Sequence, residues 1–240
     1  MPRNDCELMT SAVAIITARG GSKRIPRKNI KEFCGRPIIA YSIEAALKSG
    51  LFDDVIVSTD DDEIASISER YGASVPFMRS AANSDDYSGT SDVLIEVIDR
   101  LRDQGREYEE FCCIYPTAPF VTPQKLIDSH ALLSTEGVDS VLPVTVFSFP
   151  PQRGVFVRRN RMVPVDDEAM EMRSQDLEPV YHDCGQFYWL NTQSFMSTHS
   201  LLTPHTTPFI ISEAEVQDID NEDDWLLAEI KFNHMRGFHD

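Results

Sequence analysis

Residues 18–29, ARGGSKRIPRKN, combine glycine with cations in a pattern suited to holding a small anion. Six basic residues (Arg19, Lys23, Arg24, Arg27, Lys28 and Lys31) fall between Arg19 and Lys31, with no acidic residue among them. Gly20 and Gly21 remove side chains where backbone N–H groups can approach phosphate oxygens closely. Ser22 adds a hydroxyl donor. Lys23 and Lys28 can meet oxygens that become more negative as a phosphoryl bond breaks. The spacing is neither that of a Walker loop nor that of a dinucleotide fingerprint.

The second group lies near the other end of the chain. Asp218 and Asp220 in QDIDNEDDW are alternate residues, and on an extended segment they point to the same side. Magnesium is commonly bound by one or two carboxylates together with phosphate oxygens and water. Asp220 or Asn221 can also cap the helix that follows, with Glu222, Asp223 and Asp224 favouring its positive end. Thr117, between Pro116 and Pro119 at a strand exit, can touch a ligand or close a turn.

The elements that must position these groups alternate in type. Residues 12–18 (AVAIITA) read as a strand buried on both faces. A helix follows from Pro37 to just before Gly50. Strands are expected at 54–59, 74–77, 111–115 and 140–146. Helices are expected after Asp61, through Leu94 to Leu101, and from Pro123. This alternation implies one α/β domain over residues 12–240, a three-layer αβα arrangement on a mostly parallel sheet. Ligands of such sheets bind beyond the carboxyl ends of the strands, where each polar motif falls. The rhythm breaks at 147–184, read as a small inserted lobe with a hairpin around residues 158–161. A strand at 185–190 and a helix at 222–234 complete the domain. Residues 1–11 read as a disordered lead.

Composition narrows the class. The net charge is −17, from 22 basic and 39 acidic residues, so polyanionic nucleic acid is excluded as a partner. No apolar run approaches the roughly 18–20 residues that span a bilayer, and no secretion signal is evident, which points to the cytoplasm. Five cysteines without a CxxC pair indicate neither a disulfide framework nor a zinc knuckle, and Cys112 and Cys113 read as core.

The first motif resembles that of the sugar-acid cytidylyltransferases, the enzymes that make CMP-sialic acids. The likeness continues through residues 36–65, VPFMR (75–79), YPTAPF (115–120) and QDIDNEDDW (217–225), nearly the whole of 12–232. FSFPPQR (147–153) and RSQDLEPVYHDCGQFYW (173–189) resemble the branch that acts on pseudaminic acid. Where the N-acetylneuraminate enzymes carry Arg-Pro-Asn-Gly, this chain reads His182-Asp183-Cys184-Gly185, which suggests a changed sugar with the reaction kept.

The resemblance implies condensation of CTP with a nine-carbon nonulosonic acid, with release of pyrophosphate, for surface or flagellar glycans. It implies that Arg19, Gly20, Gly21, Ser22, Lys23, Lys28 and Asn29 hold triphosphate and ribose. Arg79 and the backbone of Asp86, Tyr87 and Ser88 would read cytosine, with Thr117 on nucleotide or sugar. Catalysis would rest on Arg19, Lys23, Lys28, Asp218 and Asp220, the last two holding Mg2+ or Mn2+. A sugar acid calls for a guanidinium, and Arg153 and Arg173 are the candidates. Gln152, Tyr181, His182, Asp183 and Gln186 would read hydroxyls and acyl groups. The lobe is expected to build a homodimer. Alternatives are N-acetylneuraminate or legionaminate as the sugar, or a nucleotide-binding module without turnover.

Overall fold

The computed structural model describes residues 11–84 and 89–237. In chain order the elements are β1 (Ala12–Thr17), β2 (Glu32–Phe33), β3 (Arg36–Pro37), α1 (Ile39–Ser49), β4 (Asp54–Ser58), α2 (Asp62–Arg70) and α3 (Thr90–Asp103). They continue with β5 (Glu110–Ile114), α4 (Pro123–Leu133), β6 (Ser140–Val146), β7 (Val155–Arg158), β8 (Arg161–Pro164) and α5 (Asp167–Glu171). The last are β9 (Tyr181–Asp183), β10 (Phe187–Asn191), α6 (Thr192–Thr198), β11 (Thr206–Ile210) and α7 (Glu222–Arg236).

Among the described residues the main sheet has seven strands, in the order β11-β6-β10-β5-β1-β4 with β9 added alongside β6. β1, β4, β5, β6 and β11 run one way, and β9 and β10 run against them. The sheet is therefore largely parallel, as expected from the alternation.

β1 sends its residues alternately to the two faces, as a strand must. Ala12, Ala14 and Ile16 join a core with Ile39, Ile43, Ile64 and Leu126 of α1, α2 and α4. Val13 and Ile15 join Leu94, Val97, Leu101 and Phe195 of α3 and α6 on the other side. Cys112 and Cys113 point to opposite faces and are both buried.

A third cluster stands off the sheet. Ile25, Phe33, Ile38, Tyr41, Phe120, Ile219, Trp225 and Ala228 pack together. Phe33 makes edge-to-face contacts with Tyr41, Trp225 and Phe232. This cluster fastens the basic turn, through Ile25, to the aspartate segment, through Ile219.

Several boundaries differ from the sequence reading. Pro37 closes the β2–β3 pair and α1 starts two residues later. The segment at 74–77 makes only an isolated bridge, Ser74 to Ile56. The 147–184 lobe is shorter than expected, because β9 pairs with β6 and belongs to the main sheet. The β7–β8 hairpin forms as read, turning at Arg159 and Asn160 in the left-handed region. β11 and α6 lack a clear sequence signal; β11 (TTPFI) contains a proline and is tolerated at the sheet edge. Residues 1–10 lie outside the described region, whereas Ser11 is bonded, its carbonyl accepting from the N–H groups of Glu109 and Glu110.

Trp225→Ala should lower the unfolding free energy by about 3–5 kcal/mol, as truncations of large buried aromatics do. Chemical denaturation measures this, and a loss under about 1 kcal/mol would contradict the role given to the third cluster.

Candidate functional site

The sheet changes direction of build-up at β1, with β4 on one side and β5 on the other. A cleft of about 300 Å³ opens there, beyond the carboxyl ends of these strands. Thr17, Arg19, Ser22, Lys23, Arg24, Lys28 and Asn29 line it from the first loop, and Arg79, Asn83, Thr90, Tyr115 and Thr117 from the far side.

The six cations of the first loop divide by task. Arg27, in the left-handed region, forks onto Asp61 and also reaches Glu63, tying the loop to the start of α2. Hydrogen bonding to Asp61 raises the Arg27 pKa, and the same bond lowers that of Asp61. The Lys31 ammonium pairs with Glu222 at 2.6 Å and lies over the Trp225 ring. Arg19, Lys23, Arg24 and Lys28 are the four that line the cleft.

The two glycines of the loop sit in different surroundings. The Gly20 N–H donates to Asp60 Oδ1 at 2.8 Å, and a Cβ on Gly20 would fall 2.8 Å from Asp61 Oδ2. Gly20 is thus required by close packing against the β4–α2 junction. A Cβ on Gly21 would meet nothing within 4 Å. Asn29 is buried and its side-chain amide donates to the Arg19 carbonyl at 2.8 Å, bracing the turn.

The aspartate segment packs directly against this turn at the edge of the cleft, although Asp218 and Asp220 are not among the residues that line it. Lys28 Nζ donates to the Ile219 carbonyl at 2.6 Å and stands 3.9 Å from Asp220 Oδ1. Arg24 pairs with the same carboxylate oxygen at 2.8 Å. Burial lowers the Lys28 pKa, and the charges of Asp220 and Asp218 oppose that fall. Asp218 is shifted up by burial and by the neighbouring Asp220 charge. Asn221, not Asp220, caps α7, and the Asp224 carboxylate accepts from the Asp220 and Asn221 N–H groups. The Asp220 carboxylate therefore faces Arg24 and Lys28 of the basic turn.

No group of three or more His, Cys, Asp or Glu side chains fit for a metal is found among the described residues. Two neighbouring carboxylates, one with its pKa raised by burial and then by the other's charge, nonetheless form a donor set that suits a hard divalent cation whose other ligands are phosphate oxygens and water.

Arg79 follows the β4 side of the cleft. It is 9% exposed, and its Nε and Nη2 donate to the Ser58 hydroxyl and carbonyl at 3.1 and 2.5 Å. Burial lowers its pKa. Asp86, Tyr87 and Ser88, expected to build the same wall, lie outside the described residues. Thr117 lines the cleft as expected.

The residues expected to hold a sugar do not line the cleft of the single chain. Arg153 donates to Ser174 Oγ, and Arg173 pairs with Asp176 in an exposed position. Gln152 donates to the Glu178 carbonyl, Gln186 is buried and donates to the Glu215 carbonyl, and His182 packs against Phe147. Tyr181 is half-exposed on β9. The Asp183 carboxylate accepts from the Gly185 N–H and from the Tyr188 hydroxyl at 2.7 Å. Tyr188 packs edge-to-face on Tyr115, whose hydroxyl lies 3.3 Å from that of Thr90.

Sequence reasoning missed Arg24, Asn83, Thr90 and Tyr115 as lining residues. Arg24 sits inside the basic motif and was within reach of a charge argument. The other three carry no local signal, being ordinary polar residues brought in from the segment before α3, the start of α3 and the end of β5.

A family model described as "Cytidylyltransferase" matches residues 13–227. A pseudaminic acid cytidylyltransferase of Campylobacter jejuni is 40% identical over 229 residues, covering 94% of this chain and 99% of its own. A CMP-N,N'-diacetyllegionaminic acid synthase of Legionella pneumophila is 30% identical, covering 90% of this chain and 94% of its own. A solved CMP:2-keto-3-deoxy-manno-octonic acid synthetase, complexed with CTP, superposes with a TM-score of 0.67 at 17% identity, over 95% of this chain and all of that one. It shows the fold.

Gly20→Ala should push the first loop away from Asp61 and weaken binding of inorganic pyrophosphate on the order of tenfold. Calorimetric titration reads this; unchanged affinity would mean that the Gly20–Asp61 packing does not set the loop.

Proposed function

Because this chain belongs to the cytidylyltransferase family, we propose that it condenses CTP with pseudaminic acid to give the CMP-sugar and pyrophosphate. The observation that carries the reading is the approach of Lys28, which lines the cleft, to within 3.9 Å of Asp220. Two groups 192 residues apart in sequence meet there with the chemistry that a triphosphate needs. The choice of sugar is supported by the Campylobacter relative, which covers nearly its whole length at 40% identity.

The anomeric hydroxyl of the sugar acid attacks the α-phosphorus of CTP in line, a new P–O bond forms, and the bond to pyrophosphate breaks. Lys28 lies toward the reacting α-phosphate, and Lys23 and Arg19 toward the leaving pyrophosphate. Their positive charge is fixed in place before the reaction, so little reorganisation is needed as negative charge moves onto the leaving group. Mg2+, or Mn2+, held by Asp218 and Asp220 would neutralise phosphate charge. Burial of Lys28 strengthens its interaction with phosphate by excluding water. No side chain is assigned as general base; the hydroxyl proton leaves to substrate phosphate or solvent in this reading.

For the sugar half we keep Gln152, Arg153, Arg173, Tyr181, His182, Asp183 and Gln186 as the proposed set. Arg153 and Arg173 stand on the lobe away from this chain's own cleft, which fits a homodimer in which the lobe serves the neighbouring site. Exposed Phe149, Val157 and Met162 on that lobe, at 87%, 76% and 74%, support such a contact. No helix of the described residues is long and apolar enough to cross a membrane. We place the reaction in the cytoplasm, where CTP is made, with surface or flagellar glycans as the destination.

Incubation with CTP, Mg2+ and separate nonulosonic acids, followed by pyrophosphate release, tests the reading. Pseudaminic acid should give the highest kcat/KM; preference for legionaminate or N-acetylneuraminate would overturn the assigned sugar and keep the chemistry. Lys28→Ala and Asp218→Asn should each lower kcat by about a hundredfold or more with the fold retained. Turnover of either near the wild-type rate contradicts the assigned roles. Arg173→Ala should raise KM for the sugar acid while KM for CTP stays put, and the reverse pattern would remove the lobe from the sugar site.

A further inference from the structure

One cleft residue has a side chain whose orientation is fixed from behind. Asn83 lines the cleft on the same side as Arg79. Its Nδ2 donates to Glu96 Oε2 at 2.6 Å and lies 3.5 Å from the Asp92 carbonyl. Glu96, on α3, also accepts from the Ser80 N–H and the Ser80 hydroxyl, each at 2.8 Å, and from Arg100 at 3.4 Å. Its side chain is only 12% exposed. Despite that burial these donors hold its pKa below the usual value, so it is ionised and can only accept. A carboxylate that only accepts dictates which way the amide turns. The nitrogen of Asn83 must face Glu96, and the oxygen is left on the side away from it, as an acceptor.

Such an acceptor beside Arg79 distinguishes two pyrimidines. Cytosine presents a keto oxygen and an unprotonated ring nitrogen, both acceptors, next to an amino group that donates. Uracil presents a protonated ring nitrogen and a second keto oxygen in the corresponding places. Arg79 supplies donors for the first part of the cytosine pattern, and Asn83 Oδ1 supplies the acceptor for its amino group. We propose that Asn83 is a base-selecting residue, and that Glu96 is a positioning residue which selects cytosine over uracil by fixing the Asn83 amide. This rests on the reading of the cleft as a CTP site.

Steady-state kinetics with CTP and with UTP, at saturating pseudaminic acid, tests it. In Asn83→Ala, KM for CTP should rise on the order of tenfold while KM for the sugar stays within about twofold. UTP use should not fall, so the CTP-over-UTP ratio in kcat/KM drops by the same tenfold. In Glu96→Gln the new amide can donate to Asn83 Oδ1 and turn the Asn83 nitrogen to the cleft. That variant should improve UTP use relative to CTP, a change that loss of stability alone does not produce. Circular dichroism and CTP titration without sugar confirm that each variant is folded and report base binding directly; should Glu96→Gln not fold, Asn83→Ala decides. An unchanged CTP-over-UTP ratio in a folded Asn83→Ala variant overturns the proposal while leaving the CTP reaction intact. Absence of CTP turnover by the wild-type protein sinks both.

Discussion

Like charges and buried charges both resist being assembled, and this cleft contains both. Lys28 is drawn out of water, and Asp218 and Asp220 repel one another. What holds them in place is apolar. Ile25 of the basic turn and Ile219, between the two aspartates, are both about 1% exposed within one aromatic cluster. Burial of such side chains contributes about 1.5–3 kcal/mol each, enough to fix a backbone against modest electrostatic strain. The carbonyl of Ile219 then receives Lys28 directly. A hydrophobic joint thus sets the distance between cation and carboxylate, and the charges add selectivity for what enters between them.

The remaining charges are arranged so that the turn keeps its shape without a ligand. Arg27 and Lys31 are tied to Asp61, Glu63 and Glu222, while Arg19, Lys23, Arg24 and Lys28 line the cleft. An acidic chain with net charge −17 gains from this concentration, since the field elsewhere discourages other anions. The same division explains why Gly20 must lack a side chain, for the tie to Asp61 brings the two loops into van der Waals contact.

Much of this was legible before coordinates. Continuous apolar runs gave β1, β5 and β6 to within a residue, because buried strands leave no other pattern. The basic loop and the aspartate pair were legible because each is dense in rare combinations. The third strand was over-read from SVPF, whose hydrophobicity serves packing beside β4 rather than a full ladder. β11 was missed because TTPFI contains a proline and sits at an edge, where pairing to one neighbour suffices.

By itself the sequence determined which groups carry charge, which segments must be buried, and that a basic, glycine-bearing turn follows the first strand. Those are local properties, written in composition and periodicity. The tertiary structure decided which of six cations face the ligand, that Asn221 rather than Asp220 caps α7, and that Asn83, Thr90 and Tyr115 join the wall. Each of those depends on a partner distant in sequence, such as Asp61 for Arg27 or Glu96 for Asn83. A side chain's direction is settled only when that partner has been brought beside it by packing.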